Sequence, residues 1–567
     1  MGDAGYVVEQ QWHSQPRNIR VVCVGAGAAG VMVAYKLKRN CENFDLAIYD
    51  KNPEIGGTWY ENRYPGCACD VPAHVYTYPF EPNPNWSKFY AGSAEIQQYF
   101  INFVDKYELN QYIHLNHTIR SARWIEDKGI YEVEIETQGG TITDWGHLLI
   151  NATGTLNKWK WPDIPGLHDF KGILVHSASW DPNISCRNMK VAVIGTGSSA
   201  IQIIPQIQPS ASHITTFMRS VTWISPPIAE DMLKDRNPEA ETLDADDRPQ
   251  HRYTEEEIRR FNENPKEFLA YRKELESRFN IMFDVFIAGS EVSKQAQQTM
   301  RKEMLRRIGT GNDDLKQHLI PSWPPGCRRM TPGEGYLEAL TKQNVTRVYD
   351  EIAKVTPQGL VDATGRLHEV DIIVAATGFD VTFKPSFQIL GVDGVSMEAE
   401  FERTGIPSVY LSMTVPKFPN YFTINGFRGS WATGTALNSH EACVNYIVQC
   451  LNRIQNEDIR ALEVRPEPVE DLYQHTDEWH KCSVWNAECK SWYKSSTPER
   501  KLIIWAGSNL HFLKSLEFVR WEHYKFRYNT RNMWAFLGNG RVKAEITKDV
   551  AKLTPYIRNS DEPWSIE

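Results

Sequence analysis

Two glycine-rich segments of this 567-residue chain have the residue types and spacing that bind pyrophosphate. The first is Gly25-Ala26-Gly27-Ala28-Ala29-Gly30 and the second is Gly195-Thr196-Gly197-Ser198-Ser199-Ala200. Small residues let the backbone approach a pyrophosphate, and a helix N-terminus behind them offers free N–H groups and partial positive charge. The apolar run Val21–Val24 precedes the first loop, and Val31–Leu37 follows it with helical character. Around the second loop, Lys190–Ile194 reads as a strand and Ile201-Gln202-Ile203-Ile204 opens a helix, with Gln202 counted in the site. Both contexts are strand, tight turn, helix. Two such units in one chain point to two dinucleotides facing each other, the arrangement that electron transfer between cofactors requires.

The residues that close the two units differ in charge. Leu46–Tyr49 is expected to be a strand ending at Asp50, placed to accept a hydrogen bond from a ribose hydroxyl. His213–Met218 is expected to be the matching strand, ending at Arg219. An acid repels a 2′-phosphate, whereas a guanidinium binds it through a planar, permanently charged fork. The first site is therefore read as that of FAD and the second as that of NADPH. The other reading of Arg219 is a solvated surface charge. Segments 148–154 and 372–378 are apolar strands that both end in Ala-Thr-Gly, where the chain could cross between domains.

These units must sit in an α/β chain with two Rossmann-like dinucleotide-binding domains. Residues 1–155 are expected to form the first part of the FAD domain, and 156–378 the NADP domain. A charged helical insertion is expected at about 226–322, ended by Pro321, Pro324 and Pro325, either as a lid or as a packing subdomain. Residues 379–567 are expected to return to the first domain and to supply C-terminal loops near substrate and NADP. Ile130–Glu136 alternates as a half-exposed strand, Thr254–Phe261 is helical in pattern, and Ser439–Ile454 reads as a helix.

Composition excludes several classes. With 62 basic and 71 acidic residues the net charge is −9, which argues against a general nucleic-acid binder. No apolar run is long enough to span a membrane. Residues 1–20 are polar and lack a signal-peptide core, and Gly2 lacks the Ser or Thr that myristoylation needs at position 6. The ten cysteines show no zinc spacing and are too few for a disulfide scaffold, so no metal and a reducing, cytoplasmic setting are expected. Cys67 and Cys69 lie two apart, which is not a redox-pair spacing, and read as buried inert thiols. Eighteen tryptophans suggest large apolar pockets.

Two longer patterns add chemistry. Phe170-Lys171-Gly172 through His176 to Trp180-Asp181 fits F-x-G-x-x-x-H-x-x-x-W-[PD]. Gly56-Gly57-Thr58-Trp59, Tyr64-Pro65-Gly66 and Asp70 fit G-G-x-W-x-x-x-x-Y-P-G-x-x-x-D. Together with the two loops they resemble the Baeyer–Villiger monooxygenases over nearly the whole chain, and within that family the fungal secondary-metabolism members most. The resemblance implies insertion of one oxygen atom of O2 beside a ketone carbonyl through a peroxyflavin, with ketone and O2 as partners.

Residue roles follow from the same match. Arg328-Arg329 stands where the family usually has Lys-Arg, so the resemblance makes Arg329 the catalytic cation and Arg328 a phosphate ligand. Asp70 is implied to orient that arginine beside the flavin, with Thr58, Trp59 and Tyr76 as flavin contacts. Ala68 replaces the family's arginine before Cys69, which alters the local NADP contact. Trp492 resembles a tryptophan that folds over NADP and substrate, with a core position as the other reading. Asn425–Gly429 through His440-Glu441 resembles a flavin-side loop leading into a helix, and His176 is implied to be structural. The competing functions are an N- or S-oxidising flavin monooxygenase and an NADPH-dependent flavin reductase or oxidase. The ketone and the oligomeric state are not legible.

Overall fold

The computed structural model describes residues 6–226, 250–495 and 500–566. The part of the expected insertion at 227–249 lies outside the described residues.

Two parallel five-stranded sheets carry the molecule. In the first, Ile19–Val24 is central, flanked by Leu148–Asn151 and Phe44–Tyr49, with Tyr421–Thr423 and Ile113–His114 outside them. In the second, Lys190–Ile194 is central, flanked by His213–Phe217 and Ile372–Ala375, with Val345–Val348 and Ile173–His176 outside them. The central strands are near-continuous apolar runs because both faces are covered. Tyr421–Thr423 pairs with Leu148–Asn151, so the chain beyond Gly378 re-enters the first sheet.

Each central strand ends where the strand order reverses, which is where open α/β sheets bind ligands. The helices Ala28–Asn40 and Ser198–Ile207 start there, behind the two glycine loops. Gly25 has φ +105° and a Cβ on it would lie 2.8 Å from the Ala152 oxygen. Gly195 has φ +122° and a Cβ there would lie 2.4 Å from the Ala376 oxygen. The two Ala-Thr-Gly segments therefore close against the two glycine loops in the same way, and only glycine fits the contact.

The described part of the insertion spans both bodies. The helix Glu255–Glu263 starts at Thr254, whose hydroxyl caps the Glu257 amide while Glu257 returns a bond to the Thr254 amide. Phe261 and, on the helix Pro265–Ile281, Phe268, Tyr271 and Leu275 join the core of the first domain. Met300, Met304 and Ile308 of the helix Glu291–Ile308, and Leu315 and Leu319 of the helix Asp313–Leu319, join the core of the second. This segment is an apolar strap across the domains. No helix among the described residues is long and apolar enough to cross a membrane.

His176 locks the linker between the domains. It is buried, its Nδ1 accepts from the Ala178 amide at 3.1 Å, and its Nε2 lies 3.2 Å from the Thr377 hydroxyl. Its ring stacks on Trp159 with centroids 4.4 Å apart. Burial pushes its pKa down from 6.5 to about 4. As pH falls below 6.5 the unfolded chain takes up the proton first, so stability should fall until the folded value near 4 is passed. Urea denaturation should show this loss, worth about 1–3 kcal/mol. His176→Gln, which keeps polar atoms but does not titrate, should remove His176's share of it.

Candidate active site

A cavity of about 1250 Å³ opens between the two glycine loops. Gly25, Gly27, Asp50, Thr58, Trp59 and Tyr76 line its first side. Gly195, Thr196, Gly197, Ser198, Ser199, Arg219 and Arg328 line the second. Ala68, Cys69, Asp70, Gln202, Arg329 and Trp492 line it too. Two expected ligands do not line it. Gly30 packs its helix onto the Gly25 carbonyl, where a Cβ would lie 1.9 Å from that oxygen. Ala200 is fully buried in the core of the second domain. Both stand at the last position of their loop, where the first helical turn faces the sheet, so smallness there serves packing.

On the first side, Asp50 is buried and already bonded. Its Oδ2 accepts from the Ala26 amide at 2.6 Å and its Oδ1 from the Asn52 amide at 2.8 Å. Desolvation pushes its pKa up, opposed by those two amides. The carboxylate is held rigidly at the cavity wall with lone pairs left for a ribose hydroxyl. The Trp59 indole donates to the Tyr76 hydroxyl at 3.1 Å, and the Asn62 amide donates to the Thr58 hydroxyl at 3.0 Å. Cys67 and Cys69 are free and buried, and burial raises both thiols, Cys67 to about 11.

On the second side the helix Ser198–Ile207 points its N-terminus at the cavity from Gly197. The Ser198 hydroxyl lies 2.9 Å from that of Thr331, and the Thr196 hydroxyl bonds the Ser220 carbonyl. Arg219 is exposed on the cavity wall. Arg328 lies over the loop, donating to the Val221 carbonyl at 3.1 Å and the Ser220 hydroxyl at 3.4 Å. Its pKa is lowered by burial. Among the described residues neither arginine has a carboxylate partner. Two guanidinium groups without counter-charge beside a glycine loop and a helix N-terminus fit a phosphorylated dinucleotide. Gln202 joins the sides, accepting from the Tyr64 hydroxyl at 2.8 Å and donating to the Ala68 carbonyl at 2.9 Å.

At the meeting point stands an ion pair. Arg329 Nε and Nη2 each donate to Asp70, at 2.6 Å to Oδ2 and 2.6 Å to Oδ1. The charge of Asp70 raises the arginine pKa further above its ordinary value, so Arg329 remains a cation. The Arg329 side chain keeps 35% of its surface open while that of Asp70 keeps 14%, so the cation faces the cavity and the anion backs it. Arg329 Nη1 also reaches toward the Trp431 carbonyl at 3.5 Å.

Three features were not anticipated. Trp431 lines the cavity and brings its carbonyl to Arg329. Tyr493 lies buried against the Arg329–Asp70 pair, and burial pushes its phenol up to about 12. Cys327 and Cys489, 162 residues apart, form a disulfide. Cysteine number and spacing gave no sign of this bond, while Cys67 and Cys69 are free. Local spacing rules detect pairs such as C-x-x-C and are blind to partners brought together by the fold. Trp492 lies half-buried on the cavity wall, with its ring 4.6 Å from that of Tyr493.

Removal of a charged partner from a phosphate costs about tenfold to a hundredfold in affinity. Arg219→Ala and Arg328→Ala should each weaken NADPH binding by that factor and leave NADH binding nearly unchanged. Titration of both dinucleotides, followed by fluorescence, checks this. An equal loss for both would remove the 2′-phosphate from the site.

Residues 23–92 match the family model of the NAD(P)-binding Rossmann-like domain. The chain is 39% identical over 539 residues to the FAD-binding monooxygenase tazF of Aspergillus terreus, covering 94% of this chain and 94% of that protein. It is 30% identical over 499 residues to a Baeyer–Villiger monooxygenase of Pseudomonas aeruginosa, covering 88% of this chain and 89% of that protein. Cyclohexanone monooxygenase from Rhodococcus, solved with NADP+, superposes with a TM-score of 0.76 at 24% identity, over 91% of this chain and all of that one, and so shares the fold. Identity at the level of the first two, kept over most of both lengths, makes the chain a member of the flavin-dependent Baeyer–Villiger monooxygenase family.

Proposed function

We propose that the chain is a FAD- and NADPH-dependent monooxygenase that inserts one oxygen atom of O2 beside a ketone carbonyl, giving an ester or lactone. Ketone, O2, NADPH and a proton yield the ester, water and NADP+. FAD, when bound and reduced by NADPH, supplies the oxygen activation. The observation that carries the reading is the Arg329–Asp70 pair, set between two dinucleotide cradles with its cation toward the cavity.

The residues divide the work. The Gly25–Gly27 loop, Asp50, Thr58, Trp59 and Tyr76 hold FAD, supported by their place on one wall. The Gly195–Ser199 loop, Gln202, Arg219 and Arg328 hold NADPH on the other, and Trp492, Ala68 and Cys69 border the space between. Residues 1–155 with 379–567 make the FAD domain and 156–378 the NADP domain, a division supported by the strand pairing. A ketone held in the cavity would gather negative charge on its carbonyl oxygen as it is attacked, and Arg329 would be the cation that meets that charge. A cation already fixed and partly desolvated stabilises that charge without reorganising. Asp70 holds the guanidinium in one plane through its paired bonds. Trp431 and Trp492 narrow the access of water.

Oxidation of an amine or sulfide builds no charge on a carbonyl oxygen, so the fixed cation favours the ketone over those substrates. Cys67 and Cys69, both free thiols of raised pKa, make a poor redox pair for a disulfide reductase. Kinship with a fungal FAD-binding monooxygenase supports a role in fungal secondary metabolism, for which we take the cytoplasm as the setting.

Arg329→Ala should keep FAD bound and flavin reduction by NADPH intact, while ester formation falls by about a hundredfold to a thousandfold. Mass spectrometry of a ketone panel incubated under labelled O2 checks both the site of insertion and the rate. Ester formed at the wild-type rate by the variant would overturn the role of Arg329. Oxidation of amines or sulfides with no ketone turned over would overturn the reaction class.

A further inference from the structure

The Cys327–Cys489 bond joins two segments that reach the reacting centre from different parts of the chain. Cys327 immediately precedes Arg328 and Arg329. Cys489 immediately precedes Lys490, Ser491 and Trp492, all three of which line the cavity, and Tyr493 lies against Arg329. We propose that this bond is a redox-sensitive positioning element: closed, it holds the Lys490–Trp492 wall and the Arg328–Arg329 segment as one unit, and opened by a dithiol, it releases them.

The surroundings suit a bond that opens and recloses. Lys494 Nζ lies 4.0 Å from each sulfur and is tied to the Ala487 and Cys489 carbonyls. An ammonium group at that distance stabilises a thiolate, which favours exchange. Burial and the neighbouring Arg500 lower the Lys494 pKa to about 8, leaving it largely protonated at neutral pH. The Ala487 carbonyl lies 3.3 Å from Cys327 Sγ and offers an acceptor to the thiol once it is reduced.

Both cysteines are buried, but Cys489 stands between the exposed Glu488 and Lys490, so a local opening of that stretch uncovers Cys489 first and attack falls on it. A thiolate of the dithiol forms a new S–S bond to Cys489 as the Cys489–Cys327 bond breaks. The electron pair of that bond goes to Cys327, which leaves as a thiolate beside Lys494. The second thiol of the reductant then displaces Cys489 and closes its own disulfide. Two electrons and two protons pass to the protein, giving two cysteine thiols.

The backbone ladder that holds the far end of the segment does not depend on the bond. The Ile503 amide donates to the Tyr493 carbonyl at 2.9 Å, and Lys494 bridges to Leu502. Opening therefore loosens the Cys489–Trp492 stretch and leaves Tyr493 anchored. NADPH binding should weaken with the release of Arg328, but the glycine loops are held by their own strands and helices, so flavin content and flavin reduction at saturating NADPH should survive. Closure of the cavity over the activated oxygen should not, and electrons should appear as hydrogen peroxide.

The inference rests on the monooxygenase reading, and the test separates the two. Wild-type enzyme carrying FAD is assayed with the disulfide closed, after treatment with dithiothreitol and its removal, and after reoxidation, with thiols counted by mass spectrometry. Cys327→Ser/Cys489→Ser is assayed beside it. The expected result is unchanged FAD content and an unchanged flavin reduction rate at saturating NADPH in all forms. Ester formed per NADPH should fall about tenfold on opening, the scale set by displacement of a positioned group, with peroxide making up the balance. Reoxidation should restore the wild type, and the serine variant should ignore dithiothreitol. An opened bond with unchanged ester and peroxide yields overturns the inference, as does a loss of FAD that accompanies opening. No ester from the closed enzyme across the ketone panel would overturn the functional reading instead. If the serine variant fails to fold, reduction and reoxidation of the wild type still decide.

Discussion

The ion pair between Asp70 and Arg329 is the interaction around which this molecule is arranged. Its partners are 259 residues apart and arrive by different routes. Asp70 ends the segment that begins at the Gly-Gly turn of the first domain. Arg329 follows the helical strap that crosses from the first core to the second. A partly buried ion pair adds little net stability, because desolvation offsets most of the attraction. Its value is geometric. Two parallel hydrogen bonds fix the plane of the guanidinium, and the exposed remainder of that group faces the cavity.

Both cofactor cradles are built by one device used twice. A central parallel strand ends in a glycine whose neighbour across the sheet is the carbonyl of an Ala-Thr-Gly segment. The contact is too close for any side chain, and it fixes how each loop sits over the N-terminus of the helix behind it. The cradles differ in the charge that stands beside each loop. Asp50 is fixed by two backbone amides and would repel a further phosphate, whereas Arg219 and Arg328 stand without a carboxylate partner among the described residues. The proposed assignment of FAD to the first side and NADPH to the second rests on this difference in charge between two similar scaffolds.

Much of this was legible in the chain itself, for a physical reason. Lys190–Ile194 is a strand of five residues as expected, because a parallel strand covered on both faces is apolar wherever it is buried, here from Val191 on. Asp70 was legible because it closes a long motif that starts at Gly56, and Arg329 because it follows Arg328 in a second recognisable segment. Gly30 and Ala200 do not line the cavity, and their sequence did not reveal it because a small residue demanded by packing looks the same as one demanded by a ligand. Trp431 and Tyr493 were missed because their use depends on the Arg329 segment lying beside them. The disulfide was missed because nothing local marks two cysteines 162 residues apart. The strap's helices could be read from pattern, but which core each apolar face joins depends on the tertiary path.

The segment from Thr58 to Asp70 shows why such a long motif must be kept as a unit. Thr58 and Trp59 line the first cradle. Five residues later, the Tyr64 hydroxyl donates to Gln202 on the helix of the second cradle. The backbone of Gly66 then meets the Gln202 carbonyl so closely that a Cβ would lie 2.5 Å from its oxygen. Ala68 accepts from the Gln202 side chain, and Asp70 finally takes Arg329. One short stretch of chain therefore touches the first cofactor wall, spaces the second domain from it and aims the cation between them. A bulkier residue at Gly66 would press on the Gln202 carbonyl and push the helix of the second cradle away from the first. The spacing within the motif is the spacing of the reaction centre, and it cannot drift one residue at a time.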